Sequence, residues 1–226
     1  MKENAVCTNR VFFDLDGTLT DPKEGIVRCL QYALRQLRQE EPPEAELVKY
    51  IGPPLRETFT ELLGWQDRVE EAVRLYRERF STIGLFENAV YPGVVDLLEK
   101  IRTQGWLLDI VTSKPTVYAR QIVGHFRLSP YFQNVYGSEL DGRFDEKTEL
   151  IAHILQTENL RKEQIVMVGD RKHDIEAARA HGIATIGVTY GYGSREELCE
   201  AGAHWVCDSP EDLYMILLKY FRASVL

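Results

Sequence analysis

Two hydrophobic periods share this chain. Short unbroken apolar runs, Val11-Phe12-Phe13, Trp106-Leu107-Leu108, Ile165-Val166-Met167-Val168 and Ala184-Thr185-Ile186-Gly187-Val188, suit strands buried on both faces. Between them apolar residues recur at helical spacing. The first run is followed by helices alone. Asp21-Pro22-Lys23-Glu24 offers an N-cap, a proline at the first helical position and an acid three residues past the cap. Ile26, Leu30, Ala33, Leu34 and Leu37 then place one apolar stripe on a helix running to about residue 38. Residues 40–43 break it, and a short helical stretch over 44–50 leads into Ile51-Gly52-Pro53-Pro54. Leu55, Phe59, Leu62 and Leu63 mark a further helix, and Val69, Ala72, Val73, Tyr76 and Phe80 another. The pattern predicts helix without strand over residues 21–86.

Beyond Tyr91-Pro92-Gly93 the two periods alternate. A helix carrying Val94, Leu97, Leu98 and Ile101 precedes a strand over 106–111, and helices over 116–126 and 147–156 flank a short strand over 134–136. A strand over 165–168, a helix over 174–181, a strand over 184–188, a helix after Ser194, a strand over 204–206 and a last helix from Pro210 complete the chain. This alternation predicts an α/β fold, a doubly wound parallel sheet with helices on both faces. The all-helical stretch is then an insertion. The expected division is residues 1–18 and 88–226 for a Rossmann-like core and 19–87 for the inserted helical domain.

Composition narrows the function. With 44% hydrophobic and 27% charged residues, the 226-residue chain has the profile of a soluble globular protein large enough for a sizeable core. A net charge of −8 argues against tracking a nucleic-acid backbone. Residues 1–10 lack the apolar run of a signal peptide and no stretch is long and apolar enough for a bilayer, so a cytoplasmic protein without a membrane partner is expected. Cys7, Cys29, Cys199 and Cys207 are scattered as reduced thiols would be, and Cys199, His204 and Cys207 lack the fourth ligand that structural zinc requires.

The candidate chemistry sits where strands end. Val11-Phe12-Phe13 runs straight into Asp14-Leu15-Asp16-Gly17-Thr18, placing two carboxylates one residue apart. Like charges so close are turn chemistry, or they hold a divalent cation, most simply Mg2+. Ligands of an open parallel sheet bind at the carboxyl ends of its strands. The strand over 106–111 ends in Thr112-Ser113-Lys114-Pro115 and the one over 165–168 in Gly169-Asp170, with Asp174 just beyond, while Lys147 opens a helix. Three strand-end acids, a hydroxyl and an amine thus meet at one edge, which favours the catalytic reading.

In this order these residues resemble the haloacid dehalogenase superfamily: Asp14-Leu15-Asp16-Gly17-Thr18 as its first motif, Thr112 as its second, Lys147 as its third and Gly169-Asp170-x-x-x-Asp174 as its fourth. The inserted helices are similar to the small helical cap of the branch that holds phosphoglycolate phosphatases, beta-phosphoglucomutases and small nucleotidases. The resemblance implies that Asp14 attacks phosphorus and that Asp16 is the general acid and base. It implies that Mg2+ is held by Asp14, Asp170 and the Asp16 backbone carbonyl, with Asp174 supporting the metal site from behind. Thr112 and Lys147 hold phosphoryl oxygens on this reading, helped by backbone N–H groups near Leu15, Asp16 and Ser113.

The expected protein is a cytoplasmic, Mg2+-dependent phosphatase of small phosphomonoesters, phosphoglycolate or nucleoside 5'-monophosphates, acting as monomer or homodimer. A sugar phosphomutase and a catalytically idle phosphate-binding module are the alternatives. A two-component receiver carries its phosphorylated Asp on a later strand and has no place for the insertion. Selection of the leaving group falls to the cap, where Arg56 after the rigid Ile51-Gly52-Pro53-Pro54 turn is the candidate. Lys114, Arg171, Lys172 and His173 read by type as surface residues, and Ser194 with Glu197 forms a capping box that accounts for Gly191-Tyr192-Gly193-Ser194.

Overall fold

The computed structural model describes residues 9–64 and 67–223, except the side chain of residue 223; Cys7 lies outside the described residues. Among the described residues eight strands are formed: β1 (Arg10–Phe13), β2 (Thr20–Asp21), β3 (Ala89–Val90), β4 (Leu107–Pro115), β5 (Asn134–Ser138), β6 (Ile165–Gly169), β7 (Ala184–Val188) and β8 (Trp205–Cys207). Six of them make one parallel sheet in the order β5-β4-β1-β6-β7-β8. The helices are α1 (Lys23–Gln36), α2 (Glu44–Leu47), α3 (Leu55–Leu63), α4 (Val69–Arg79), α5 (Val94–Thr103), α6 (Thr116–His125), α7 (Lys147–Thr157), α8 (Lys172–Ala180), α9 (Arg195–Glu200) and α10 (Pro210–Ala223).

The unbroken apolar runs are explained by burial on both faces. Successive strand side chains point to opposite sides. In β1, Val11 and Phe13 enter one core with Leu98, Ile122 and Leu217, while Phe12 enters the other with Leu150, Ile154 and Ala178. The α/β fold with a helical insertion is therefore as the sequence pattern predicts.

Register carries this fold to the site. Phe13 lies opposite Ile110 of β4 and opposite Val168 of β6, so β1 and β6 end within a residue of each other while β4 runs on to Pro115 beside the turn that follows β1. Connections leave to opposite sides of β1, which makes its carboxyl end the switch point where a crevice opens.

The insertion departs from expectation at its root. Residues 20–21 and 89–90 pair as the antiparallel doublet β2–β3, Thr20 with Val90 and Asp21 with Ala89, so the chain enters and leaves the helical region through strand. Asp21 belongs to this doublet and is not the N-cap of a helix with Pro22 inside it. Pro22 caps α1, which begins at Lys23, and the Asp21 carboxylate accepts the Lys23 N–H at 3.0 Å as a local turn bond. Two-residue strands are too short to show a period. After α4 the chain widens into a π-turn over Phe80–Gly84 that packs beside α1. No helix among the described residues is long and apolar enough to cross a membrane.

Candidate active site

The turn after β1 is tied by its own backbone. The Leu15 carbonyl accepts N–H groups from Thr18, Leu19 and Thr20, and Gly17 takes φ +81°, a left-handed conformation that glycine adopts without strain. A Cβ on Gly17 would also collide with the Asp170 carboxylate. The turn thereby brings Asp14 against Asp170, and the side chains of Asp14, Asp16 and Asp170 are all buried. Thr18 Oγ1 donates to Asp170 Oδ1 at 3.2 Å, and the backbone N–H of Tyr192 donates to Asp170 Oδ2 at 2.8 Å.

Carboxylate oxygens of Asp14, Asp170 and Asp174 all lie within 4.8 Å of one another. Lys147 stands among them, with its Nζ 3.0 Å from Asp14 Oδ1 and bonded to Asp174 Oδ1. The other Asp174 oxygen accepts the backbone N–H of Arg171 at 3.0 Å, a capping-box bond at the start of α8. The structure thus places Asp174 in the carboxylate cluster itself as well as at a helix N-terminus.

The electrostatics are those of a buried acidic site. Burial, then the charges of Asp174 and Asp14, raise the Asp170 carboxyl well above its ordinary range. Burial pushes Asp174 up to about 6 against the opposing effect of Lys147. Burial also raises Asp16, though the Lys114 ammonium opposes it. Burial disfavours the Lys147 charge, but Asp14 and Asp174 more than offset this and raise its pKa. Four carboxylates, Asp14, Asp16, Asp170 and Asp174, meet two ammonium groups, Lys114 and Lys147; fully ionised they leave a deficit of two positive charges. Asp16 Oδ1 is buried with no hydrogen-bond partner among the described residues, and Asp14 Oδ1 has only the Lys147 ion pair, in a geometry that is not that of a hydrogen bond. An all-oxygen donor set, the under-satisfied Asp14 Oδ1 and that charge deficit fit a hard divalent cation such as Mg2+.

Thr112 and Ser113 lie on β4 in the wall of a cavity between core and cap that Asp14 and Asp16 also line. Thr112 is buried, its Oγ1 accepting the Lys114 N–H at 3.2 Å, and the Ser113 carbonyl accepts the Ser138 hydroxyl at 2.9 Å. Arg56 lines the same cavity, but its guanidinium is engaged: Nε lies 2.6 Å from Glu70 and Nη1 3.0 Å from Asp145 of the core.

Three readings by residue type are corrected here. Lys114 is not on the surface: its side chain is 7% exposed, with Nζ 2.6 Å from Asp16 Oδ2 and 4.5 Å from the centre of the Phe80 ring. Arg171 is not a free surface cation either. Its Nε bonds Glu197 at 2.9 Å, and its Nη1 donates to the carbonyls of Lys49 and Ile51 in the cap. His173 is half-buried, and burial lowers its pKa; Lys172 is exposed as expected. The capping bond from Glu197 N–H to Ser194 Oγ is present at 3.1 Å, yet it accounts for only part of the loop before it. A Cβ at Gly191 would lie 2.5 Å from the Asp170 Cβ, and the Tyr192 hydroxyl donates to Asp21 at the cap root. Two glycines around a tyrosine were the available signal.

The sequence profile of the haloacid dehalogenase-like hydrolases matches residues 11–188. The chain belongs to that family. Among its relatives is a 5'-nucleotidase of Pseudomonas aeruginosa, 48% identical over 199 residues that make up 88% of this chain and 90% of the relative. The tyrosine-protein kinase PtkA of Mycobacterium tuberculosis is 41% identical over 184 residues, which cover 81% of this chain and 62% of that protein. A predicted phosphatase from Clostridium acetobutylicum superposes with a TM-score of 0.91 at 39% identity, over 94% of this chain and 99% of that one. This member of the family is a phosphoric monoester hydrolase.

Proposed function

We propose that this haloacid dehalogenase-like hydrolase is a cytoplasmic enzyme that cleaves small phosphomonoesters through an aspartyl-phosphate on Asp14, with Mg2+ as cofactor. Nucleoside 5'-monophosphates and phosphoglycolate are the candidate substrates. The observation that carries the reading is the meeting of Asp14, Asp170 and Asp174 around Lys147 at the end of β1. On this reading residues 19–87 act as a cap over a core of residues 1–18 and 88–226.

Asp14, Asp170 and the Asp16 carbonyl would hold the metal. When bound, Mg2+ neutralises charge, so that a carboxylate can approach an anionic phosphoryl group. Asp14 attacks phosphorus in line as the ester oxygen leaves. Asp16 keeps one oxygen on Lys114 and carries the proton on the other, the unpartnered Oδ1; that proton goes to the leaving oxygen, and the carboxylate then activates the water that cleaves the acyl phosphate. Thr112, Lys147 and the N–H groups of Leu15, Asp16 and Ser113 hold the phosphoryl oxygens. Asp174 positions Lys147 and keeps α8 in place.

The test is release of inorganic phosphate from nucleoside 5'-monophosphates, phosphoglycolate and p-nitrophenyl phosphate. Asp14→Asn is expected to lower turnover at least about a thousandfold with the fold intact by circular dichroism. Chelation is expected to stop the wild-type enzyme and Mg2+ to restore it. Substantial activity in Asp14→Asn would remove the nucleophile, and a chelator-insensitive rate would remove the metal. The PtkA relative raises a second reading, transfer to tyrosine; phosphate arriving on a protein tyrosine, or on a sugar as in a mutase, with none on water would replace hydrolysis.

A further inference from the structure

The cavity wall facing Asp14 and Asp16 is built by the cap. Two polar groups there are buried with no hydrogen-bond partner among the described residues: Thr58 Oγ1, on a residue 2% exposed, and Arg77 Nε. Thr58 stands in the first turn of α3 and Arg77 near the end of α4, so two separate helices each bring a residue with an unpaired buried group to the wall of one cavity. An unpaired buried group is costly to keep, and a ligand that pairs with it recovers that cost. The Arg77 guanidinium is fixed from its far end, where Nη1 donates to the Leu140 carbonyl of the core at 2.8 Å.

The same cavity has an aromatic wall. Tyr76 and Phe80 stack with centroids 5.2 Å apart, and Tyr118 of the core meets Phe80 edge-on at 5.4 Å. All three line the cavity. Lys114 covers the Phe80 ring from the Asp16 side, which leaves the polar end of the wall at the phosphoryl site and the apolar stretch beyond it.

From this arrangement we infer that Thr58 and Arg77 form a base-recognition subsite, and that the enzyme's substrates are nucleoside monophosphates, with a planar, heteroaromatic leaving group. The inference rests on the phosphatase reading above. Arg77 Nε–H donates to a ring carbonyl, and the Thr58 hydroxyl both donates and accepts, which suits the alternating edge of a base. The aromatic wall supplies apolar surface against which a planar ring can pack. A two-carbon glycolate offers a carboxylate to Arg77 but has no ring to pack on the aromatic wall and no second polar edge for Thr58.

The experiment compares kcat/KM for nucleoside 5'-monophosphates with that for ribose 5-phosphate, which has the phosphoryl and sugar but no base. The wild-type ratio is expected to favour the nucleotide. Thr58→Val, nearly equal in shape, and Arg77→Lys, which keeps charge but loses Nε–H, are each expected to lower that ratio about tenfold, a change of about 1.4 kcal/mol. Thr58→Ser is expected to restore most of it, and carries the test with Arg77→Lys if Thr58→Val does not fold. An equal effect of the variants on both substrates overturns the subsite. So does a wild-type enzyme that prefers phosphoglycolate or ribose 5-phosphate to every nucleotide, although that result leaves the phosphatase reading standing. Failure to release phosphate from any ester overturns both.

Discussion

Removing the Lys147 ammonium tests whether the acidic cluster is held together as argued. Lys147, Asp14 and Asp174 side chains are 4%, 8% and 2% exposed, so solvent screens none of them appreciably. Lys147→Met keeps most of the stem and deletes the charge. Three carboxylates with oxygens within 4.8 Å then face one another. At an effective dielectric constant near 20, two unit charges about 4.8 Å apart repel by about 3.5 kcal/mol. Stripping one partner from a buried ion pair independently costs about 3–5 kcal/mol. The two routes agree, and a loss of about 3–5 kcal/mol in unfolding free energy is expected for the metal-free protein near neutral pH.

The pH dependence has a definite sign. The Asp174 carboxyl stands at about 6 in the folded protein against an ordinary value of 3.8, so between those values the native state binds the extra proton. Stability due to this group therefore falls as pH rises from about 4 through 6, and the penalty is complete above that. Without Lys147 the carboxyl rises further, which makes the variant's deficit large at about pH 7.5 and smaller at about pH 5. Urea unfolding followed by circular dichroism in chelator at both pH values measures this. A deficit below about 1 kcal/mol at the higher pH, or the same deficit at both, would refute the account of the cluster.

Two further changes probe its supports. Gly191→Ala sets a Cβ 2.5 Å from the Asp170 Cβ, and is expected to cost about 1–3 kcal/mol and to raise the Mg2+ concentration needed for half-maximal activity; an unchanged Mg2+ titration would show that the loop does not position Asp170. Arg171→Ala removes the donor to the Lys49 and Ile51 carbonyls, and is expected to raise KM roughly three- to tenfold and to speed limited proteolysis within the cap; unchanged cleavage kinetics would remove Arg171 as a cap tether.

The legible part of the molecule is the part that each strand determines alone. Val11-Phe12-Phe13 reads as a strand buried on both faces because its alternate side chains enter two cores, one on each face of the sheet. Asp14 follows at its end because Phe13 is level with Ile110 and Val168. Asp170, Thr112 and Lys147 are placed by the same local logic. Lys114 escaped it because a long cationic side chain ordinarily keeps its head in water. What buries Lys114 is Asp16 on one side and Phe80 on the other, and Phe80 arrives from the insertion. Arg171 likewise looks exposed until the cap carbonyls of Lys49 and Ile51 are set against it.

These misses share a cause. Each residue acquires its role from a contact between insertion and core, and such contacts have no period along the chain. The β2–β3 doublet, which aims the insertion, is two residues on each strand and leaves no pattern. Tyr192 joins the two levels, its backbone N–H on Asp170 and its hydroxyl on Asp21 of that doublet. One residue thus links the cap root directly to an acid of the carboxylate cluster. Phosphoryl chemistry is legible from strand ends, whereas the leaving group is selected by groups such as Thr58 and Arg77, whose significance exists only once the cap is folded over the core.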